Sequence, residues 1–570
     1  MNAERLLAHF EQISEAPDAI ARLRRFILDL AVRGKLVEQD PEDEPAEAWL
    51  NILSVHKGKE SRSSRSRLSH SDKTNPSNLP NGWCHAFFGE VALIRSNLVN
   101  PGNHPDKPHI APDSIESWTA RLLPFQTIAE SGVTSPKHLF QPGVILYSKI
   151  RPNLAKAIKV DFDGLCSADM YPIEPLLDRD YLLKYMISTS FVEQATAGDN
   201  RVAMPKINQA ALNQIVVPVP PLAEQHRIVA KVDELMALCD QLEAARQQRE
   251  QTRERLVAAS LQRLNQPAED PASFRQHAQF ALQTLPSLTT TPAQIKQLRQ
   301  CILNLAVRGK LVQQDPEDEP AQELLTAVAL EKMMQRPNQG GKSIKPMTVE
   351  SDEINLFPVR MGWVWTTLEE YALDVSTGPF GSMLHQSDYI SDGVPVVNPS
   401  HMIGGRIHPD PKVTVPSAIA DKLATYKLRA GDVVMARRGE VGRAAHVSSE
   451  EEGWLCGTGS FIVRFIPEIP REYVLLFLSA GLAREYLLDS AVGSTMTNLN
   501  HGILKHMPIP LPPLAEQHRI VAKVDSLMAL CDQLEQQLSQ ADQQRQRLLE
   551  SLLAEALAKP EEALASVESS

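Results

Sequence analysis

Residues 30–46 read LAVRGKLVEQDPEDEPA and residues 305–321 read LAVRGKLVQQDPEDEPA, agreeing at 16 of 17 positions. Further along, PPLAEQHRIVAKVDELMALCDQLE (220–243) returns as PPLAEQHRIVAKVDSLMALCDQLE (512–535), agreeing at 23 of 24. Chance does not produce agreement of this length, so the chain carries an internal duplication, and that repeat decides the architecture. Two copies are too few for a stacked solenoid. Two half-molecules related by an approximate two-fold is the expected packing.

The first pair of segments lies 275 residues apart and the second 292, so the stretch between them is 17 residues longer in the second half. That stretch, 80–214 in one copy and 360–506 in the other, has lost nearly all similarity. An evenly drifting duplication would not leave near-identical ends around unlike middles; the inserts are expected to do different jobs of one kind. The order expected along the 570 residues is a helical repeat (1–51), a linker (52–79), a first divergent domain (80–218) and a long helix (219–264). A linker (265–290), a second helical repeat (291–332), a linker (333–356), a second divergent domain (357–510) and a second long helix with its tail (511–570) follow.

The repeated ends read as helices. Ile20, Leu23, Ile27 and Leu30 fall at helical spacing before Gly34, a residue suited to the C′ stop. The second copy opens with Thr291 before Pro292, an N-cap followed by an N1 proline. After Pro220-Pro221, Ile228, Val232, Leu235, Cys239 and Leu242 step by four and three, as do Ile520, Val524, Leu527, Cys531 and Leu534. Some 40 residues at about 1.5 Å each would make a helix of roughly 60 Å. Each narrow apolar stripe needs cover, and pairing the two helices as an antiparallel coiled coil is the expected solution. Cys239 and Cys531 are expected to pack on that seam rather than to react.

The divergent middles hold β-rich runs, GVILYSKI (143–150), AKAIKV (155–160), GDVVMARR (431–438) and GSFIVRF (459–465), each set followed by an apolar helical stretch. Strands that precede a helix rather than alternate with it favour an α+β domain. The fold class expected is therefore α+β: two mixed α/β domains joined by two long antiparallel coiled-coil helices in a pseudo-two-fold duplication. Trp83 and Trp363, each after a glycine near the start of its insert, are expected to be core anchors. The acidic runs DPEDEP at 40–45 and 315–320 are expected to face solvent or a partner.

Composition sets limits. The hydrophobic class is 43% and charged residues 22%, as in a globular protein, and no run approaches the roughly 18 apolar residues of a membrane span. The opening MNAERLLAHFEQISEAPDA has no apolar leader segment, and six cysteines are scattered without a C-x-x-C pair. Reduced thiols in a cytoplasm, and no zinc site, are the expectation. The formal charge of −12 excludes a protein coated in Lys and Arg that adheres to nucleic acid anywhere. It leaves room for a selective binder: residues 80–214 carry 12 basic and 13 acidic side chains and residues 360–506 carry 13 and 16, so most excess acid lies outside the inserts.

The motif LAVRGKLVxQDPxDEPA, the Pro-Pro-Leu-Ala-Glu-Gln helix start, YSKIRPNLAKA (147–157) and the duplicated plan resemble the specificity subunit of type I restriction-modification systems. That resemblance spans essentially the whole chain. It implies two target-recognition domains, each reading one half of a split DNA sequence, with helices that set the gap and dock two methyltransferase subunits. It further implies restriction and translocase subunits as partners on double-stranded DNA, with S-adenosylmethionine, ATP and Mg held by those partners and no cofactor on this chain.

The residues agree with a non-catalytic subunit. The Asn/Asp-Pro-Pro-aromatic tetrapeptide of adenine methyltransferases is absent, Asn398-Pro399-Ser400 being the nearest approach. Gly341-Lys342-Ser343 lacks the first glycine of a P-loop, since Arg336 stands there. No catalytic residue and no metal ligand is expected. A coiled-coil scaffold presenting two protein-binding domains, or a self-sufficient DNA methylation or restriction enzyme, remain as alternatives.

Base edges are read by Arg or Lys on guanine and by Asn or Gln on adenine, while other contacts position the protein on phosphates. In the first insert, Lys149, Arg151, Asn153 and Lys156 cluster where a strand gives way to a turn, and Arg201, Lys206 and Asn208 precede the long helix. The corresponding groups in the second are Arg437, Arg438 and Arg443, and Thr495, Thr497, Asn498 and Asn500. Thr377 and Ser382 join them because TGPFGS (377–382) resembles the family's Thr-Gly-x-x-x-Ser turn, for which the first insert has no clear counterpart. These are the expected DNA-binding residues.

Overall fold

A computed structural model of the chain describes residues 15–57, 79–197, 205–265, 271–335, 357–439, 442–490 and 499–557. The chain divides into two compact units, residues 1–249 with 541–570, and residues 250–540.

In the first unit, Cys84–Phe87 pairs antiparallel with Val216–Val219, a clasp that closes the two ends of the insert on each other. Inside it, an antiparallel sheet runs in the order Ala92–Ile94, Met170–Pro175, Ile145–Ser148, Ala157–Lys159. The second unit repeats this plan although its insert sequence is unrelated. Val364–Thr367 pairs with Pro508–Leu511, and the sheet order is Asp374–Thr377, Ser460–Arg464, Val433–Ala436, Ala444–His446. The unbroken apolar runs at the inner strands have a physical cause. Ile145 and Tyr147 enter one core while Leu146 between them enters another. Val433 and Met435 likewise face away from Val434. Side chains alternate across a strand, so a strand buried on both faces loses its polar alternation. The second core in each domain lies under a second, mixed sheet, five-stranded in the first domain and three-stranded in the second, with one parallel pair: Pro108–Ile110 beside Gly164–Cys166, and Val394–Val397 beside Leu455–Cys456.

The helical repeats form as their patterns predict. Ala19–Val32 ends before Gly34, whose φ of +65° is left-handed, and a Cβ there would also stand 2.2 Å from Pro80. Thr291 caps Pro292–Val307 through a capping box with Gln294, whose side chain accepts from the Thr291 amide at 3.1 Å. Each long helix has 44 residues, Leu222–Asn265 and Leu514–Leu557.

The apolar stripes are covered differently from the expected seam. Ile228, Val232 and Cys239 belong to the core of the first recognition domain together with Ile27, Leu28 and Ala31 of the short repeat helix. No residue of the second long helix is in that cluster. Ile520, Val524 and Cys531 behave alike in the second unit. Leu242, further along the stripe, is 39% exposed. The short helix takes the place of the second long helix at the stripe because its own two faces are apolar. Its Phe26 and Leu30 pack on Ala556, at the end of the second long helix, and Arg22 pairs with Glu550 while Arg24 pairs with Asp240 and Glu243. Glu15 lies by Arg249 and Gln39 by Glu224, so Ala19–Val32 runs antiparallel to the first long helix. Ala19 lies by Leu549 and Lys35 by Leu557, so it runs parallel to the second. Within this unit the two long-helix segments are therefore antiparallel, with a third helix packed on both.

Two further expectations are corrected. Residues 265–290 are not a bare linker: Pro271–Leu288 is a helix that places Phe274, Ala278, Ala281 and Leu285 on Val257, Leu261 and Leu264. Their three- and four-residue spacing is the reason it is helical. The acidic runs, second, are not wholly exposed. Asp43 forms a bidentate pair with Arg227 (2.6 and 3.2 Å), and Asp318 pairs with Arg519 in the same way; their side chains are only 9% and 7% exposed. Most of the segments read as linkers at 52–79 and 333–356 lie outside the described residues.

Those pairs account for the near-identity of the two repeated motifs, since the motifs fold onto each other. Trp83 donates its indole N–H to Glu224 at 2.9 Å and Trp363 donates to Glu516 at 2.8 Å, with both carboxylates and both rings buried. Ala46 N–H meets the Gly82 carbonyl and Ala321 N–H the Gly362 carbonyl, each at 2.9 Å. Both tryptophans are the core anchors the sequence suggests. A change at one motif would leave a buried donor or charge at the other without a partner.

Candidate nucleic-acid interface

The central strand Ile145–Ser148 runs out into a short turn of 3-10 helix, Pro152–Leu154, bounded by two left-handed residues, Arg151 (φ 49°) and Ala155 (φ 47°). This turn is tied to the segment before the long helix. Ile150 bridges Lys206, the Arg151 amide donates to the Pro205 carbonyl at 2.8 Å, and the Ile207 amide to the Lys149 carbonyl at 2.9 Å. Two groups of candidate residues fifty or more positions apart in sequence thus lie side by side.

Their side chains differ in what they are free to do. Lys149 sits over the Tyr171 ring at 5.3 Å. Lys156 donates to the Pro112 carbonyl at 2.6 Å, and Lys206 pairs with Asp169 at 3.2 Å. Asn208 caps Gln209–Asn213 by accepting from the Ala211 amide at 2.8 Å, and Asn500 caps His501–Lys505 from the equivalent place. These two asparagines hold backbone with their side-chain oxygens. Arg151 and Asn153 are exposed on the turn itself. His138, buried nearby, has its pKa lowered by burial and by the charge of Lys149.

The second domain builds the same junction from other residues. The Leu499 amide donates to the Arg437 carbonyl at 3.0 Å, as Ile207 does to Lys149, and Arg437 Nε returns a bond to the Leu499 carbonyl at 3.2 Å. Arg443 Nη1 donates to the Pro399 carbonyl at 3.2 Å, while Arg438 is exposed. Thr377 ends an inner-sheet strand opposite Phe461, and Ser382 is exposed at the far side of its loop. Gly378 admits no side chain, because a Cβ would stand 2.1 Å from the Gly457 carbonyl oxygen. Arg201, Thr495, Thr497 and Asn498 lie outside the described residues.

One neighbour was not anticipated. Met402–Ile403 and Arg406–Ile407 form a hairpin across Gly404-Gly405, both at positive φ, and the His446 amide donates to the Gly405 carbonyl at 3.0 Å. That places exposed Ile403 and Arg406 next to the strand Ala444–His446, which directly follows Arg443. A Gly-Gly pair between apolar residues is the sequence signal of such a hairpin.

The domain that matches is described as the type I restriction modification DNA specificity domain, and it matches twice, at residues 105–250 and 381–541. The chain belongs to that family. Carrying two copies of its domain, it is a DNA-specificity protein. The Escherichia coli type I restriction enzyme EcoDI specificity subunit is 40% identical over 42% of this chain and 52% of that one. The EcoEI specificity subunit, also from Escherichia coli, is 29% identical over 94% of both chains. A chain solved in work on complex assembly and conformational transition of the type I R-M system is 21% identical, with a TM-score of 0.49, covering 84% of this chain and 98% of that one. Among the described residues no helix is long and apolar enough to cross a membrane, no cluster of three His, Cys, Asp or Glu is placed to hold a metal, and all six cysteines are free.

Proposed function

We propose that the chain is the non-catalytic DNA-recognition subunit of a cytoplasmic type I restriction-modification complex. It reads an asymmetric, bipartite target, each domain taking one half, and presents that target to two methyltransferase subunits and to restriction and translocase subunits. Those partners supply S-adenosylmethionine, ATP and Mg. The observation that carries this reading is the pairing of one backbone plan with two side-chain sets. The same junction bears Lys149, Arg151 and Asn153 in one domain and Arg437, Arg438 and Arg443 in the other. Equal scaffolds present unequal readers, which suits two different half-sites. Near-identical helical ends offer two near-equivalent docking surfaces, which suits two copies of one partner.

Sequencing of methylated adenines in cells that express the chain with its partner subunits tests this. A split motif with a fixed gap is expected, and exchanging residues 80–214 for another insert should change one half only. Methylation by the purified chain alone, or no split motif, would overturn the reading.

A further inference from the structure

Resting on that reading, we infer that Arg151 is the guanine-reading residue of the first domain, so that its half-site contains a G·C pair contacted in the major groove. The inference starts from what the other cations do. Among the described residues of the insert 80–214, Arg95, Arg121 and Arg179 are ion-paired to Glu174, Glu116 and Asp161. Every described lysine there also has an ion pair, a hydrogen bond or, for Lys149, a ring contact. Among these described cations Arg151 alone is exposed with an uncommitted guanidinium. In a domain whose formal charges nearly cancel, that singles it out among the described residues as a group left for a ligand.

The backbone beneath it is held from several sides. Arg151 adopts φ 49°, a conformation that residues with a Cβ enter only when their surroundings enforce it. Pro152 restricts it on one side, the amide is bonded to Pro205, and Ile150 is bridged to Lys206. A phosphate contact tolerates a loosely held side chain. Reading a base requires a fixed approach, and a planar guanidinium matches the O6 and N7 acceptors of guanine with two parallel bonds. The second domain has Gly439 at φ 86° one place after Arg438, so no strain is imposed on a side-chain-bearing residue there.

The test uses the full chain assembled with the methyltransferase subunits of its system, acting on a library of split sites randomised in both halves. Substituting Arg151→Lys keeps the charge and removes the two-pronged donor. It should relax selection at one G·C position of one half-site by about 5- to 150-fold and leave the other half unchanged. Substituting Arg151→Gly, the residue type that relieves the left-handed strain, should do the same while leaving the thermal midpoint equal or higher, which separates readout from folding. If R151K selects as the parent does, or if R151G weakens all sequences evenly and lowers the salt slope by about one, the residue contacts phosphate and the inference is overturned. Failure of the unsubstituted complex to select any split site would instead overturn the function proposed above.

Discussion

The indole N–H of Trp83 donates to the Glu224 carboxylate at 2.9 Å, with both side chains buried. One residue opens the divergent insert and the other opens the long helix, so this bond fixes a variable domain onto an unvarying scaffold. The second carboxylate oxygen takes a bond from Gln39 at 3.2 Å, drawing in the first repeated motif as well. Substituting Glu224→Ala leaves a buried N–H unpaired and should cost about 1–3 kcal/mol. Glu224→Gln keeps an acceptor and should cost well under half of that. Urea denaturation of the two variants checks it; equal losses would show that packing, not the hydrogen bond, sets the cost.

A second joint should respond to pH. Asp29 is buried and accepts from the Thr189 amide at 3.0 Å, at the start of Thr189–Thr196. Burial raises its pKa, against the lowering effect of that bond. A raised folded-state value means the folded chain holds a proton at a pH where the unfolded chain has released it. The group's contribution is therefore present at low pH and lost as pH rises through the raised value. The second copy has Asn304 in this place, accepting from the Gly481 amide at 2.8 Å without any charge. Asp29→Asn should equal or exceed the parent in stability at neutral pH, and the difference should shrink on acidification. A difference that grows as pH falls would contradict the assignment.

At the candidate interface, Gly378→Ala would set a Cβ 2.1 Å from the Gly457 carbonyl oxygen, a backbone atom that yields little. A loss of about 1–3 kcal/mol from overpacking is expected. Selection of the second half-site should fall while selection of the first is kept. Loss confined to the first half-site, or an unchanged protein, would show that the Thr377–Ser382 loop has another role.

What the sequence made legible follows from how far each signal travels along the chain. The duplication, the capped start at Thr291, the long helix after Pro220-Pro221, and the Trp83 and Trp363 anchors are local patterns, and they reappear in space as read. The partner of the long-helix stripe was not legible. Periodicity shows that Ile228 and Val232 need cover but not that Ile27 and Ala31 supply it. The helix Pro271–Leu288 was written at helical spacing and hidden by its polar surroundings. Candidate readers were found as residue types. Separating Arg151 from Lys156 and Lys206 needed the Pro112 carbonyl and Asp169, which lie 44 and 37 residues away in the chain.

The long helices carry the last prediction. Under the proposed function the number of unspecified base pairs between the half-sites is set along Leu222–Asn265 and Leu514–Leu557. Val257, Leu261 and Leu264 pack on Ala281 and Leu285, and Leu549 and Leu552 pack on Ala16 and Ala19, so the far end of each helix is anchored as its start is. A matched four-residue insertion in both adds about 6 Å of rise and about 40° beyond one full turn. With bases stacked about 3.4 Å apart, the tolerated gap should lengthen by one or two base pairs while both half-sites stay the same. The methylated motif of cells expressing this variant reads the gap directly. An unchanged gap would mean that the helices hold the domains without measuring the distance between them.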